Sequence, residues 1–350
     1  SNNNNTHQEK STPLRSAASM VLPHPASTPG PMARTPLDCA WLLQTMVDDP
    51  DRFDATSLFL SSSNDRHDDV TGSKTTSVTV RIGWLGDWQS RLPIEDGILS
   101  TCQKALEHWR VNNNNDSNNR TNDCRSHFNI IVVDMTDNLF DLDKLWESYN
   151  TIRFASTYEK YSEHFDVQYL LSPQGRHLIK EELAWELEQG QAIATTDDRG
   201  KAQLERARDV YDQYEEWLNG IFDQHSNGDD ENENQYSQLD VLALPSAQVW
   251  PFPIEDRYPK QICGTTMDTY HRWMEVCVPV SFGGLPCVTV PTVGVLAGLV
   301  DDNNTRSNNK GNDWKEEKIL PMGIQMFAKR GNDLQLLRLA NDYYHCFHQP

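Results

Sequence analysis

Two histidines three residues apart stand near the end of the sequence, in "HCFH" at 345–348. His345 and His348 at that spacing suit a shared transition-metal ion on one helical turn. They lack further partners, and the pair reads as a frayed helix end. "RHDD" at 66–69 lies in a polar loop and reads the same way, so no metal is expected. A nucleophile with a basic neighbour would be the next option. "GSK" at 72–74 offers Ser73 beside Lys74, but without the Gly-rich surroundings that fix a nucleophile in place. No G-x-S-x-G elbow, Walker loop, G-x-G-x-x-G or H-E-x-x-H occurs. The residue types for chemistry are present, but not in a self-contained catalytic pattern.

The elements that would position such residues must come from a polar chain. Of 350 residues, 37% are hydrophobic, and mean hydropathy is -0.67. That length allows one large domain or two ordinary ones. Lys plus Arg number 31 against 51 Asp plus Glu, a net charge of -20. Nucleic acid and anionic membrane surfaces both need a basic face, so neither is expected as a partner. The seven cysteines are odd in number and form no C-x-x-C pair. Several lie inside apolar runs, which suits buried thiols in a reducing compartment and a cytoplasmic location. Four Asn-x-Ser/Thr sequons, at Asn4, Asn115, Asn119 and Asn303, fall in Asn-rich tracts where they arise by chance.

Those tracts, at 2–5, 112–122, 226–235 and 301–313, hold too little apolar surface to order themselves. Each of the last three separates two regular elements, as a loop insertion does. Between them the pattern alternates. "SVTVRIGWL" (77–85) places Val78, Val80, Ile82 and Trp84 on one strand face. A helix is expected over Ile94–Trp109 with Glu95 and Asp96 in its first turn, then a buried strand at 128–135. A helical region from Leu139 to Phe222 puts Ala207, Tyr211, Tyr214, Leu218 and Ile221 on one face. Strands near 239, 286 and 321 and a helix over Leu334–Phe347 close an α/β layered chain. Upstream, Thr35 is an N-cap with Pro36 at the first helical position and Asp38 three residues after the cap. Leu37, Ala40, Trp41, Leu43, Met46 and Val47 then give that helix a broad apolar surface.

Several long strings are more specific than any short motif. "GPMART" (30–35), "RIGWLGD…LPIEDGILSTCQKALEHW" (81–109), "DVLALPSAQVWPFPIEDRYP" (240–259), "SFGGLPCVTVPTV" (281–293) and "LPMGIQMFAKRGNDLQLLRLANDYY" (320–344) run in order. Together they resemble the amidase signature family of serine hydrolases. One departure stands out: that family usually has Gly before "LP-x-G-x-Q", where Ile319 and Leu320 precede Pro321 here.

The resemblance implies a layered α/β/α fold with a mixed central sheet and hydrolysis of carboxylic amide C–N bonds. The family's chemistry uses a nucleophilic serine, a serine in a cis peptide and a lysine, and passes through an acyl-enzyme. None of the three has a matching position here. The N-terminal catalytic portion is therefore expected to be missing, with 1–29 either disordered or a partial tail of that core and 30–350 the C-terminal part of a single amidase domain. No catalytic residue is assigned to the chain, and alone it is expected to be inactive. Trp250, Phe252, Tyr270 and Trp273 follow the strand near 239 and are expected to line the acyl side of the substrate pocket, although aromatic residues there also suit an ordinary core. Gly284, Pro286 and Pro291 are expected to shape the backbone, while Gly323 and Gln325 match the family string. The expected partner is a small-molecule amide, with a homodimer as the candidate assembly and no cofactor. Two alternatives remain: the amidase-like subunit of a tRNA-dependent amidotransferase, and a non-catalytic remnant acting as a binding module.

Overall fold

The computed structural model describes residues 22–24, 28–47, 55, 78–114, 128–194, 198–223, 239–292 and 320–347. The expected insertions at 226–235 and 301–313 lie outside the described residues, as do 2–5 and all of 112–122 except its first three residues. "RHDD", "GSK" and His348 lie outside them too. Two compact units are present, one assigned Ser1–Ala26 and Glu147–Tyr211, the other Ser27–Trp146 and Asp212–Pro350.

The second unit holds the sheet. Its strands are β1 (Val78–Trp84), β2 (Phe128–Asp134), β3 (Val241–Pro245), β6 (Cys287–Pro291) and β7 (Gly323–Ala328), in the order β2-β1-β3-β7-β6. β1 runs parallel to β2 and β3, whereas β7 is antiparallel to both β3 and β6, giving a mixed sheet. A two-stranded ribbon, β4 (Gln261–Ile262) with β5 (Thr265–Thr266), lies apart from it.

One sheet face packs on α2 (Ile98–Asn114) and α8 (Asp333–Phe347). Val80, Ile82 and Trp84 of β1 meet Ile98, Cys102, Leu106 and Trp109 of α2 and Leu336, Leu339 and Tyr343 of α8 in one cluster. Period-two alternation on the strand and 3.6-residue spacing on the helices produce that cluster. Val78, expected on the same face, is exposed because it opens the strand. Asp342 ties the two helices by accepting from Trp109 Nε1 at 2.8 Å and from Asn113 Nδ2 at 2.5 Å.

α2 begins four residues later than the sequence suggested. Gly97 takes a left-handed φ of 87°, and Glu95 is drawn away to hold the segment after β3. The helix also runs on to Asn114, so residues 112–114 are helical. Opposite this layer, Tyr214, Leu218 and Ile221 of α6 (Asp198–Phe222) are buried, with Phe282 of α7 (Val278–Gly283). Tyr214 donates to the Pro279 carbonyl at 3.1 Å.

Among its described residues, the first unit is mainly helical. It takes in most of α3 (Leu142–His164), all of α4 (Val167–Leu171) and α5 (Glu181–Ala194), and α6 as far as Tyr211. The buried Glu186 carboxylate of α5 pairs with Arg153 Nε of α3 at 2.6 Å, beside an edge-on Phe154–Trp185 contact.

α1 (Pro36–Met46) starts as its sequence dictates. Thr35 accepts from the Asp38 backbone N–H at 3.1 Å and donates to the Asp38 carboxylate at 2.8 Å, with Pro36 at the first turn. Ala40 is buried, whereas Leu37, Trp41, Leu42 and Met46 are exposed. Among the described residues, no helix is long and apolar enough to cross a membrane.

Candidate functional site

A groove of about 560 Å³ opens at one end of the sheet, past the C-terminal ends of β3 and β6 and the start of β7. Five segments build it, Trp273 coming from the 3₁₀-helix at Arg272–Cys277. The chain leaving β3 supplies Ser246, Val249, Trp250 and Phe252. Thr289 and Pro291 come from β6, and Pro321, Met322 and Gly323 from the approach to β7. Ala33, just before α1, closes one side.

Hydrogen bonds fix the wall after β3. The Glu95 carboxylate accepts from the Trp250 backbone N–H at 2.7 Å, and the indole N–H donates to the Asp96 carbonyl at 3.0 Å. Gln248 is fully buried; it accepts from the Val276 N–H at 3.1 Å and donates to the Pro93 carbonyl at 3.1 Å. Gln325 is buried as well, and its amide donates to the Pro245 and Val276 carbonyls, each at 2.9 Å. The side chain therefore braces the end of β3 and the turn of 3₁₀-helix at Arg272–Cys277 through backbone contacts. At the groove floor, a Cβ on Gly323 would stand 2.9 Å from Ser246 Oγ and 3.0 Å from Thr289 Cγ2. Only glycine leaves that floor open. Gly284 has a φ of 58° and caps α7 in the left-handed conformation, so it sets backbone shape as expected.

Of the four aromatic residues singled out in the sequence, Trp250, Phe252 and Trp273 come together on this groove. Phe252 and Trp273 meet edge to face at 5.4 Å and pack on Val249, Ile262 and Met267. Tyr270 does not line the groove. Its ring lies against Tyr258 at 6.3 Å and His271 at 4.8 Å. Sequence reading passed over Ser246, Thr289 and Met322, whose small or flexible side chains carry no signal until the strands are paired. Ser246 and Thr289 supply hydroxyls, but the lining contains no His, Lys, Arg, Asp, Glu or Cys. Such a lining suits apolar groups. Nor does any group of three or more His, Cys, Asp or Glu among the described residues suit a metal ion.

A buried ionic cluster stands beside this region. Glu275 is fully buried, with Arg91 Nη2 at 3.2 Å from Oε1 and Arg272 Nε at 2.8 Å from Oε2. Desolvation pushes its carboxyl up to about 7, against the pull of both arginines.

A family model described as Amidase matches residues 14–337. The chain belongs to the amidase family. Solved structures of amidase signature enzymes share its fold. A chain of the vestigial protein complex that reveals the origins of an s-triazine catabolic enzyme superposes with a TM-score of 0.56 at 17% identity, over 90% of this chain and 52% of that one. A 6-aminohexanoate cyclic dimer hydrolase gives 0.52 at 12%, over 91% and 54%. A bacterial aryl acylamidase of the amidase signature enzymes family gives 0.50 at 17%, over 77% and 44%. This amidase-family chain spans about half the length of these structures. No curated protein matches it by sequence. Its amidase strings, far apart in sequence, supply all of the lining except Trp273: "GPMART" gives Ala33, "LPSAQVWPFP" Trp250 and Phe252, "TVP" the β6 edge and "LPMG" the floor.

Proposed function

We propose that the protein hydrolyses carboxylic amide C–N bonds, with the groove receiving the acyl side of the substrate. Membership of the amidase family supports amide hydrolysis in general. The finer reading rests on one observation: three aromatic side chains and a glycine floor converge in a groove whose lining sets no basic side chain beside its two hydroxyls. An apolar acyl group is the ligand this wall suits, while the amide bond is cut by groups presented from outside it. The family's Ser/cis-Ser/Lys relay would be supplied by residues that lie outside this chain. In that relay the lysine draws a proton through the bridging serine, the nucleophile attacks the carbonyl, and water releases the acyl group.

The chain by itself is then expected to be inactive, since loss of a serine nucleophile or its base lowers turnover by on the order of 10⁴ to 10⁶. The test offers aryl and alkyl amides to the chain and to a version extended upstream. Turnover by the extended version alone, blocked by a serine-directed inhibitor, is the expected result. Inhibitor-sensitive turnover by the chain would overturn it and point to a serine in "SAASM" or "GSK". An extended version that binds amides without cleaving them would instead indicate a binding module.

A further inference from the structure

A second cavity, of about 190 Å³, shares no lining residue with the groove and is lined by Ser90, Arg91, Thr265, Thr266, Asp268 and Arg272, among others. Its two arginines come from segments nearly two hundred residues apart, yet they share the buried carboxylate of Glu275. Both guanidinium groups are held in advance of any ligand. Arg272 lies 4.6 Å from the centre of the Trp146 ring, a cation–π contact that fixes its plane. Arg91 donates from Nε to the Asp143 carboxylate at 2.9 Å.

The backbone that delivers Arg91 is strained. Trp88, Gln89 and Ser90 are three successive non-glycine residues with φ of 56°, 56° and 63°. Each such residue costs about 1–2 kcal/mol, and such strain persists only where the surroundings impose it. Here Trp88 Nε1 donates to the Phe140 carbonyl at 2.8 Å, and the Ser90 N–H donates to Asp87 Oδ1 at 2.8 Å.

We propose that this cavity is a binding site for a small monocarboxylate, gripped between Arg91 and Arg272 with Ser90, Thr265 and Thr266 around it. Donor count supports this. A guanidinium carries five N–H groups. Arg91 uses Nε and Nη2, and its Nη1 has no partner among the described residues. The carboxylate nearest Arg272 Nη1 is Asp268, at 3.5 Å. Asp268 and Asp143 are 63% and 66% exposed, so water screens their hold on the arginines and an incoming carboxylate exchanges with Asp268. The same two acids repel a dianion more than a monoanion, and a planar two-oxygen group matches the guanidinium fork.

Glu275 makes the site proton-coupled. It faces Arg91 and Arg272, with Asp143 as the nearby like charge. A further anion on the arginines, beyond Asp143 and Asp268, favours the protonated form of Glu275, so binding near pH 7 takes up a proton. This site is independent of the amide-hydrolase reading.

Titration calorimetry of the 350-residue chain with sodium acetate and sodium butyrate tests it, with sodium sulfate and sodium chloride for comparison. Run in buffers of different ionisation enthalpy, saturable acetate binding with proton uptake at pH 7 is expected. Arg272→Gln should weaken it about tenfold. Asp268→Asn, which removes the competing carboxylate, should tighten it severalfold, a gain that misfolding cannot mimic. Glu275→Gln should keep binding and abolish the proton uptake. Absence of saturable carboxylate binding, sulfate binding as tightly as acetate, no tightening in Asp268→Asn, or unchanged proton uptake in Glu275→Gln would each overturn the assignment.

Discussion

Gln325 shows how one side chain settles the geometry of the groove. Its amide spans two carbonyls from separate segments, both out of reach of water. Gln325→Met keeps the volume but leaves both carbonyls without their donor. Unfolding in urea should show a loss of about 2–3 kcal/mol, since an orphaned buried polar group costs about 1–3 kcal/mol. A loss under 0.5 kcal/mol would mean that the brace is dispensable. Glu275 gives a prediction with a definite sign. Its carboxyl titrates near 7 in the folded chain, above the usual value of 4.5. Between those values the folded state binds more protons than the unfolded one, so this group's contribution is largest at the acid end and falls as pH rises towards 7. The limiting slope is about 1.4 kcal/mol per pH unit. Glu275→Gln should flatten the wild-type decline in unfolding free energy over that window; parallel profiles would contradict it.

Among the elements, the β4–β5 ribbon carries the clearest local conflict. Its two turn residues, Cys263 and Gly264, have φ of 46° and 84°, which is the left-handed pair a two-residue hairpin turn needs. Gly264 takes that conformation freely, whereas Cys263 does not. Cys263→Asn supplies the residue such turns prefer and should stabilise the chain by about 0.5–1 kcal/mol, read as a higher denaturation midpoint with unchanged slope. Destabilisation would show that the Cys263 thiol's contact with the Ile94 carbonyl, at 3.3 Å, outweighs the turn. This ribbon carries Thr265 and Thr266 to the carboxylate cavity, so turn and site are linked.

For the whole molecule, the exposed face of α1 matters most. Leu37, Trp41, Leu42 and Met46 lie on it, with Met32 just upstream. An apolar patch of that kind is more often an interface than a free surface. The isolated chain is therefore expected to self-associate through it, despite a net charge of -20 that opposes association. Sedimentation over a concentration series should show a rising mean mass. The double variant Trp41→Gln, Met46→Gln should remain monomeric; equal association by both would move the interface elsewhere.

Local rules carried the reading of the sequence a long way. The Thr35 cap, the alternation through Val80, Ile82 and Trp84, and the helical spacing of Ile98, Cys102, Leu106 and Trp109 each act over a few residues, and each appears in the structure. The family strings marked out most of the segments that form the groove, and position after the strand near 239 placed Trp250, Phe252 and Trp273 among its candidates. Local spacing could not tell Tyr270 from those three, because the direction of its ring is set by Tyr258 and His271. Nor could it pair Arg91 with Glu275, or Gln325 with Pro245 and Val276. Those contacts follow from the strand order β2-β1-β3-β7-β6 and its registers, which bring distant segments to one end of one sheet. Propensity and periodicity decide which elements form. The close approach of buried polar groups across the assembled sheet and its loops decides what the elements hold between them, and a short window of sequence contains no record of it.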